Sequence, residues 1–234
     1  MARAGVAAVI GFFILTAQGV APAQTVPLPQ PAPKARTAPS TAAKPATPSL
    51  ADSIATEAGQ HALVDRVSLY LSTIQTLVGN FVQVGPDGRK TEGKFYIAKP
   101  GRVRFEYEPP SPLEVIADGT SVVVRDRNLN TQDAFMLSQT PLRYLLADQI
   151  DLTRDTSLVG FSQDNSFISL TIEERQLLVG THRMVMMFNA KDLQLRQWTI
   201  TDPQGYETTV AVYNLDTTHK PDPGMFAITY EVRQ

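Results

Sequence analysis

Three histidines, His61, His182 and His219, and no cysteine make up the soft-ligand and thiol inventory of this 234-residue chain. Without a thiolate there is no cysteine nucleophile, disulfide, thiolate metal site or lipid-modified N-terminal cysteine. A histidine-built metal centre would need nearly all three imidazoles, so neither metal nor cofactor is expected. Ser121, Ser138 and Ser169 have no histidine at a spacing that suggests a nucleophile and its base. The chain also lacks a G-x-S-x-G elbow, a phosphate-binding glycine loop and an H-E-x-x-H pair. Asp126 and Asp133 flank a hairpin and Glu173-Glu174 end a strand, positions where acids are ordinarily solvated. Arg102 and Arg104 lie on a polar strand face and are expected to pair with acids on neighbouring strands. His182 opens a strand and His219 sits in a proline-containing loop, both in structural or exposed roles. No enzymatic function is expected from these residues.

The remaining chemistry is that of apolar surface. In Gly101-Arg102-Val103-Arg104-Phe105-Glu106-Tyr107 one strand face shows Val103, Phe105 and Tyr107, and in the preceding strand Phe95 and Ile97 share a face. Met184, Met186 and Phe188 alternate with Val185 and Met187, and Trp198 shares a face with Ile200. Two readings stay open. These side chains fill a barrel core as ordinary packing, or they line a curved sheet too large to fill itself, leaving an apolar cavity in which Met184, Met186 and Met187 adapt to varied shapes.

The elements that would position them follow from the pattern. Met1-Ala2-Arg3, the apolar run Gly5 to Thr16 and Ala21-Pro22-Ala23 read as an export signal over 1–23, too short to span a bilayer that needs about twenty apolar residues. Residues 24–50 carry Pro27, Pro29, Pro31, Pro33, Pro39, Pro45 and Pro48 among Ala, Thr and Ser, and read as a semi-rigid disordered spacer. A domain over 51–234 opens with a helix from His61 to Thr76, open to extension back towards Asp52, its stripe formed by Val64, Val67, Leu71 and Ile74, with Asp65, Arg66, Ser68 and Ser72 opposite. From Val78 the period becomes two and turn signals recur. Eleven strands are predicted, over 78–85, 91–98, 101–108, 113–118, 120–126, 131–137, 156–163, 166–173, 181–189, 193–202 and 206–215. Their short links make them antiparallel, and so long a sheet curls. A second helical piece runs from Thr140 to Ala147, with Thr140 as cap and Pro141 in its first position. The fold class is mainly β with a few helices. A net charge of -2 and a pI near 5.9 supply no basic footprint for nucleic acid.

The succession Gly79-Asn80-Phe81-Val82-Gln83, Gly93 through Tyr107, Ala117-Asp118-Gly119, Thr140 through Leu146, the Asp202-Pro203-Gln204-Gly205 turn and the late Phe226 resembles the outer-membrane lipoprotein carriers, the LolA family. The resemblance covers the stretch from about residue 60 to the end. It implies an incompletely closed, strongly curved antiparallel barrel of eleven strands with helices packed inside as a lid. It also implies a periplasmic chaperone that takes lipoproteins from an inner-membrane ABC transporter to the outer membrane, to a lipoprotein receptor there where one exists. The family arginine that holds the lid closed corresponds to Lys99, which keeps the charge and loses the planar fork. The aromatic cavity wall corresponds to Phe105 and, more loosely, to Val103.

Elementary energetics agree with such a carrier. Burying a methylene is worth about 0.8 kcal/mol, so one sixteen-carbon chain represents on the order of 10 kcal/mol. Acyl chains at that level need a screen from water, and a broad pocket with a movable lid is what release requires. The expected acyl-binding wall is Phe81, Phe95, Ile97, Val103, Phe105, Tyr107, Val115, Met184, Met186 and Trp198, and the expected lid is Leu142, Leu145 and Leu146 with Lys99. A monomer is expected. The alternative function is a periplasmic binder or sensor of lipids or lipoproteins with no transport role.

Overall fold

A computed structural model of the chain describes residues 50–176 and 180–229. The export signal assigned to 1–23 and all but the last residue of the spacer assigned to 24–50 lie outside them. Helix α1 spans Leu50–Thr73, taking up the extension towards Asp52 and ending sooner than the predicted Thr76. Its first turns are extended by alanine-rich sequence of high helix propensity that carries no apolar stripe, and its end is set by Thr76, which already begins the first strand. None of the described helices is long and apolar enough to cross a membrane.

Eleven strands follow among the described residues: β1 (Thr76–Val84), β2 (Lys90–Ala98), β3 (Arg102–Tyr107), β4 (Leu113–Asp118), β5 (Ser121–Asp126), β6 (Thr131–Met136), β7 (Ser157–Gln163), β8 (Phe167–Gln176), β9 (Gly180–Asn189), β10 (Leu195–Thr201) and β11 (Glu207–Asp216). They form one antiparallel sheet in the order β6-β5-β4-β3-β2-β1-β11-β10-β9-β8-β7. Two meanders therefore meet at the β1–β11 pair, and β6 and β7 are left as unpaired edges. The link between those edges, residues 137–156, carries a 3-10 turn at Leu137–Gln139 and the short helix α2 at Arg143–Leu146.

The sheet is bent. Phe105 on β3 and Trp198 on β10 are separated by four inter-strand steps, which in a flat sheet would be about 19 Å. Their ring centroids lie 6.4 Å apart, so the sheet curls until distant strands share one concave interior. Alternation then sorts side chains by face: β1, β3 and β9 all bury every second residue.

A reciprocal exchange of glycine and phenylalanine shapes the middle of that interior. Gly79 on β1 lies opposite Phe95 on β2, and Phe81 lies opposite Gly93. Each ring sits over a position with no side chain, which lets Phe81 reach Tyr107 at 4.9 Å and Phe105 at 5.2 Å in edge-to-face contacts.

On the convex side, the C-terminal segment packs over β3–β5. Arg104 pairs with Glu114 on the neighbouring β4, as expected, with Glu106 on its own strand, and also donates to the Met225 carbonyl at 2.9 Å. Arg102 departs from expectation. Its guanidinium stands 5.8 Å over the Phe226 ring and its Nε donates to the Ala98 carbonyl, because Phe226 offers a buried flat surface where an acid was anticipated.

Candidate functional site

The ten residues expected to form the wall are brought together. Phe81, Phe95, Ile97, Val103, Phe105, Tyr107, Val115, Met184, Met186 and Trp198 are buried in one apolar cluster, joined by Ile168, Leu170, Ile172, Phe188, Ile200, Val210 and Val212 from the same concave face. Met187 does not share it. It falls on the opposite side of β9, where the period of two must place it. The face carries an internal polar pair: Tyr107 donates from its hydroxyl to Gln83 Oε1 at 2.7 Å, and burial pushes the Tyr107 phenol well above its ordinary range.

The helices cover this face with apolar side chains of their own. Val64, Val67 and Leu71 of α1, with Leu142, Leu145 and Leu146 in and beside α2, belong to the same cluster as the wall. Thr140 is not the α2 cap. Its hydroxyl donates to the Leu137 carbonyl at 2.9 Å, closing the preceding 3-10 turn, and α2 begins at Arg143 with no side-chain cap.

Polar bonds hold the cover at three places. The first is the α1 C-terminus, where helix carbonyls lack intrahelical partners. Thr73 Oγ1 donates to the Tyr70 carbonyl, Lys99 Nζ to Leu71 at 2.7 Å and Gln75 Nε2 to Ser72 at 3.1 Å. Lys99 thus grips α1 from the β2–β3 turn, its cation set against the negative end of the helix dipole. The second is two residues on, where the Gly101 N–H donates to the Leu146 carbonyl at 2.8 Å, tying α2 to the same turn. Gly101 has φ +73°, and a Cβ there would lie 2.7 Å from Gly119 Cα, so glycine is required for the turn to carry both helices.

The third place is at α2 itself. Arg143 Nη1 donates to Glu174 Oε1 on β8 at 2.6 Å and to the Ser138 carbonyl at 2.7 Å. Arg143 also donates to the Tyr144 hydroxyl, which in turn donates to Glu174 Oε2 at 3.3 Å. Helix α1 is stitched as well to the connection that follows α2. Ser68 Oγ accepts from the Leu152 N–H, and Ser72 Oγ accepts from the Ile150 N–H at 2.9 Å. These two serines therefore face the lid connection, not solvent.

The Lys99 ammonium is buried, and desolvation lowers its pKa from 10.5 to about 8 against a smaller opposing pull from Asp148. In the unfolded chain the amine keeps its ordinary value, so between pH 8 and 10.5 the unfolded state binds more protons and stability rises with pH across that window. The charged form carries a folding penalty at neutral pH of about 3 kcal/mol at its limit. Lys99→Met is expected to remove this component: thermal unfolding of the wild type should gain on the variant from pH 8 to 10. A constant difference between the two across that range would refute the assignment.

Beyond the interior, a groove of about 490 Å³ opens at the end of α1, lined by Tyr70, Ile74, Thr76, Asp192, Thr217 and Lys220 among others. Its threonines and opposed charges do not match an alkyl chain. Among the described residues no group of three or more His, Asp or Glu side chains could hold a metal ion.

Sequence reasoning missed Glu174, Arg143 and His182 as a group. The only signal for it was that Glu174 keeps the even-numbered phase of Ile168, Leu170 and Ile172 on β8.

The sequence profile of "Outer membrane lipoprotein carrier protein LolA" matches residues 72–229. An uncharacterised protein of Rickettsia prowazekii is 28% identical over 103 residues, 44% of this chain and 48% of that protein. The chain thus spans about half the length of that relative. An outer-membrane lipoprotein carrier protein of Methylococcus capsulatus is 26% identical over 172 residues, covering 69% of this chain and 80% of the relative. Among solved structures, a LolA superfamily protein from Nitrosomonas europaea aligns with 70% of this chain and 97% of its own at 11% identity and a TM-score of 0.40.

Proposed function

Because the chain belongs to the outer-membrane lipoprotein carrier family, LolA, we propose that it is an exported periplasmic carrier that shields the acyl chains of lipoproteins between the inner and outer membranes. In this reading it acts as a monomer, receives cargo from an inner-membrane lipoprotein-releasing ABC transporter, and delivers it to an outer-membrane receptor where one exists. The supporting observation is the concave apolar face of an eleven-stranded sheet, covered by α1, α2 and the β6–β7 connection through a short set of polar bonds.

The magnitudes favour exchange over permanent closure. Ten apolar side chains of the cover are buried in the cluster that holds the wall: Val64, Val67 and Leu71 of α1, with Leu137, Leu142, Tyr144, Leu145, Leu146, Ile150 and Leu152 of the β6–β7 connection. At about 2 kcal/mol each, their burial is of the same order as that of two long acyl chains. Cargo and cover then compete for one surface on nearly equal terms, so a chain is held without being trapped. Phe81, Phe95, Ile97, Val103, Phe105, Tyr107, Val115, Met184, Met186 and Trp198 are the surface the chain takes over as the cover lifts.

Depleting the protein is expected to leave lipoproteins in the inner membrane, and mass spectrometry of protein purified from the envelope is expected to find bound lipoprotein. Normal lipoprotein sorting after depletion, with only free phospholipid or glycolipid bound, would replace transport by lipid binding or sensing.

A further inference from the structure

His182 breaks the character of the face it stands on. The concave positions of β9 are His182, Met184, Met186 and Phe188, and the last three lie in the apolar cluster. His182 is 1% exposed, yet neither ring nitrogen has a hydrogen-bond partner. A neutral imidazole has one N–H to give and one lone pair to receive, and buried polar groups left unbonded are rare because they are costly.

The acids around it are committed elsewhere. Glu174, its cross-strand neighbour, is held by Arg143 and Tyr144 of α2. Asp202 Oδ1 accepts from the Gln204 and Tyr206 N–H groups. Burial lowers the imidazole pKa against the opposing pull of Glu174 and Asp202, which keeps the ring neutral at pH 7. A neutral donor thus sits where the apolar wall meets the charged latch of α2. From His182 to Phe188 the strand runs six residues, about 20 Å, close to the reach of an extended long fatty chain.

We propose that His182 is the polar anchor of the acyl-binding face: when α2 lifts, its imidazole hydrogen-bonds the acyl carbonyl, ester or amide, where a fatty chain joins the polar part of its cargo. The chain itself lies along Met184, Met186 and Phe188. This rests on the reading of the concave face as an acyl-binding surface.

The test uses three lipids that share a 2,3-dihydroxypropyl head and differ at one linkage: 1-monopalmitoylglycerol (ester), N-(2,3-dihydroxypropyl)palmitamide (amide) and 1-O-hexadecylglycerol (ether, no carbonyl). Each is titrated against the full chain loaded with 1-aminoanthracene, and displacement is read by fluorescence. The wild type should bind ester or amide about tenfold more tightly than ether, a difference of about 1.4 kcal/mol, and the tighter of the two identifies the linkage. His182→Phe should bring the ratio close to one, while His182→Gln, which keeps a donor and an acceptor, should retain most of it. Taking the ratio within each variant removes any general loss of stability, and should the phenylalanine variant fail to fold, the wild-type and glutamine ratios decide. Equal binding of all three lipids by the wild type, or a full ratio in His182→Phe, overturns the anchor. Failure of every lipid to displace the probe overturns the acyl-binding reading itself and the anchor with it.

Discussion

Gly93→Ala is expected to lower the melting temperature by about 10 °C. A methyl group on Gly93 would stand 2.0 Å from the Glu106 carbonyl oxygen and 2.8 Å from Phe81 Cε1. Neither can retreat. Glu106 belongs to β3, which is locked in register with β2 on one side and β4 on the other, and the Phe81 ring is wedged between Tyr107 and Phe105. Overpacking ordinarily costs 1–3 kcal/mol, and a clash with backbone belongs at or above the top of that range. For a domain of this size each kcal/mol shifts the midpoint by roughly 2–4 °C. Two sister substitutions set the scale. Gly79→Ala meets Leu215 Cδ2 and Phe95 Cε1 at 2.9 Å and the Tyr213 carbonyl oxygen at 3.0 Å, a far looser approach to backbone than at Gly93, and should cost less, about 1–2 kcal/mol. Gly59→Ala, in α1 with nothing within 4 Å, should stabilise by about 0.5–1 kcal/mol through helix propensity. Thermal unfolding followed by circular dichroism checks the ranking, and a Gly93→Ala midpoint equal to that of the wild type would mean that the glycine–phenylalanine exchange does not set the packing of the wall.

The same exchange shows what kind of information the sequence carries. Strand alternation is local, so Val103, Phe105 and Tyr107 could be placed on one face from their spacing, and the short turns forced the antiparallel order. The spacing of Leu142, Leu145 and Leu146 likewise marked an apolar helical face. What failed were the places where polar residues serve the interior. Glu173-Glu174 looked like the end of a strand, yet β8 continues to Gln176 and Glu174 keeps the inward phase. Ser68 and Ser72 looked like the solvent side of α1, yet they bond Leu152 and Ile150, 84 and 78 residues away. A polar residue's local signature is the same whether it meets water or a distant partner, so the latches of the cover become visible only with the fold. Lys99 is the intermediate case. The resemblance pointed to it as a lid contact, and the structure places its ammonium on the end of α1, while α2 is joined to the same turn through Gly101.

Arg143→Ala should tighten the apparent affinity for an apolar probe such as 1-aminoanthracene by about tenfold. The direction follows from competition. If the closed cover occupies the surface the probe needs, the measured dissociation constant is the intrinsic one divided by the fraction of open molecules. Weakening the closed state then raises affinity until the open form predominates. Arg143 is one-third exposed and Glu174 is 14% exposed in their side chains, so the pair lies between a surface ion pair of up to 1 kcal/mol and a buried one whose breakage costs 3–5 kcal/mol. A value near 1.4 kcal/mol gives the tenfold change. Glu174→Gln should act in the same direction, and because Arg143→Ala already breaks the ion pair along with its bonds to Ser138 and Tyr144, the double variant should gain little over Arg143→Ala alone. Neither Arg143 nor Glu174 belongs to the apolar cluster, so a folded Arg143→Ala protein with unchanged or weaker probe binding would mean that α2 is a fixed wall of the domain. In that case the acyl chain would have to enter by some route other than displacement of the cover.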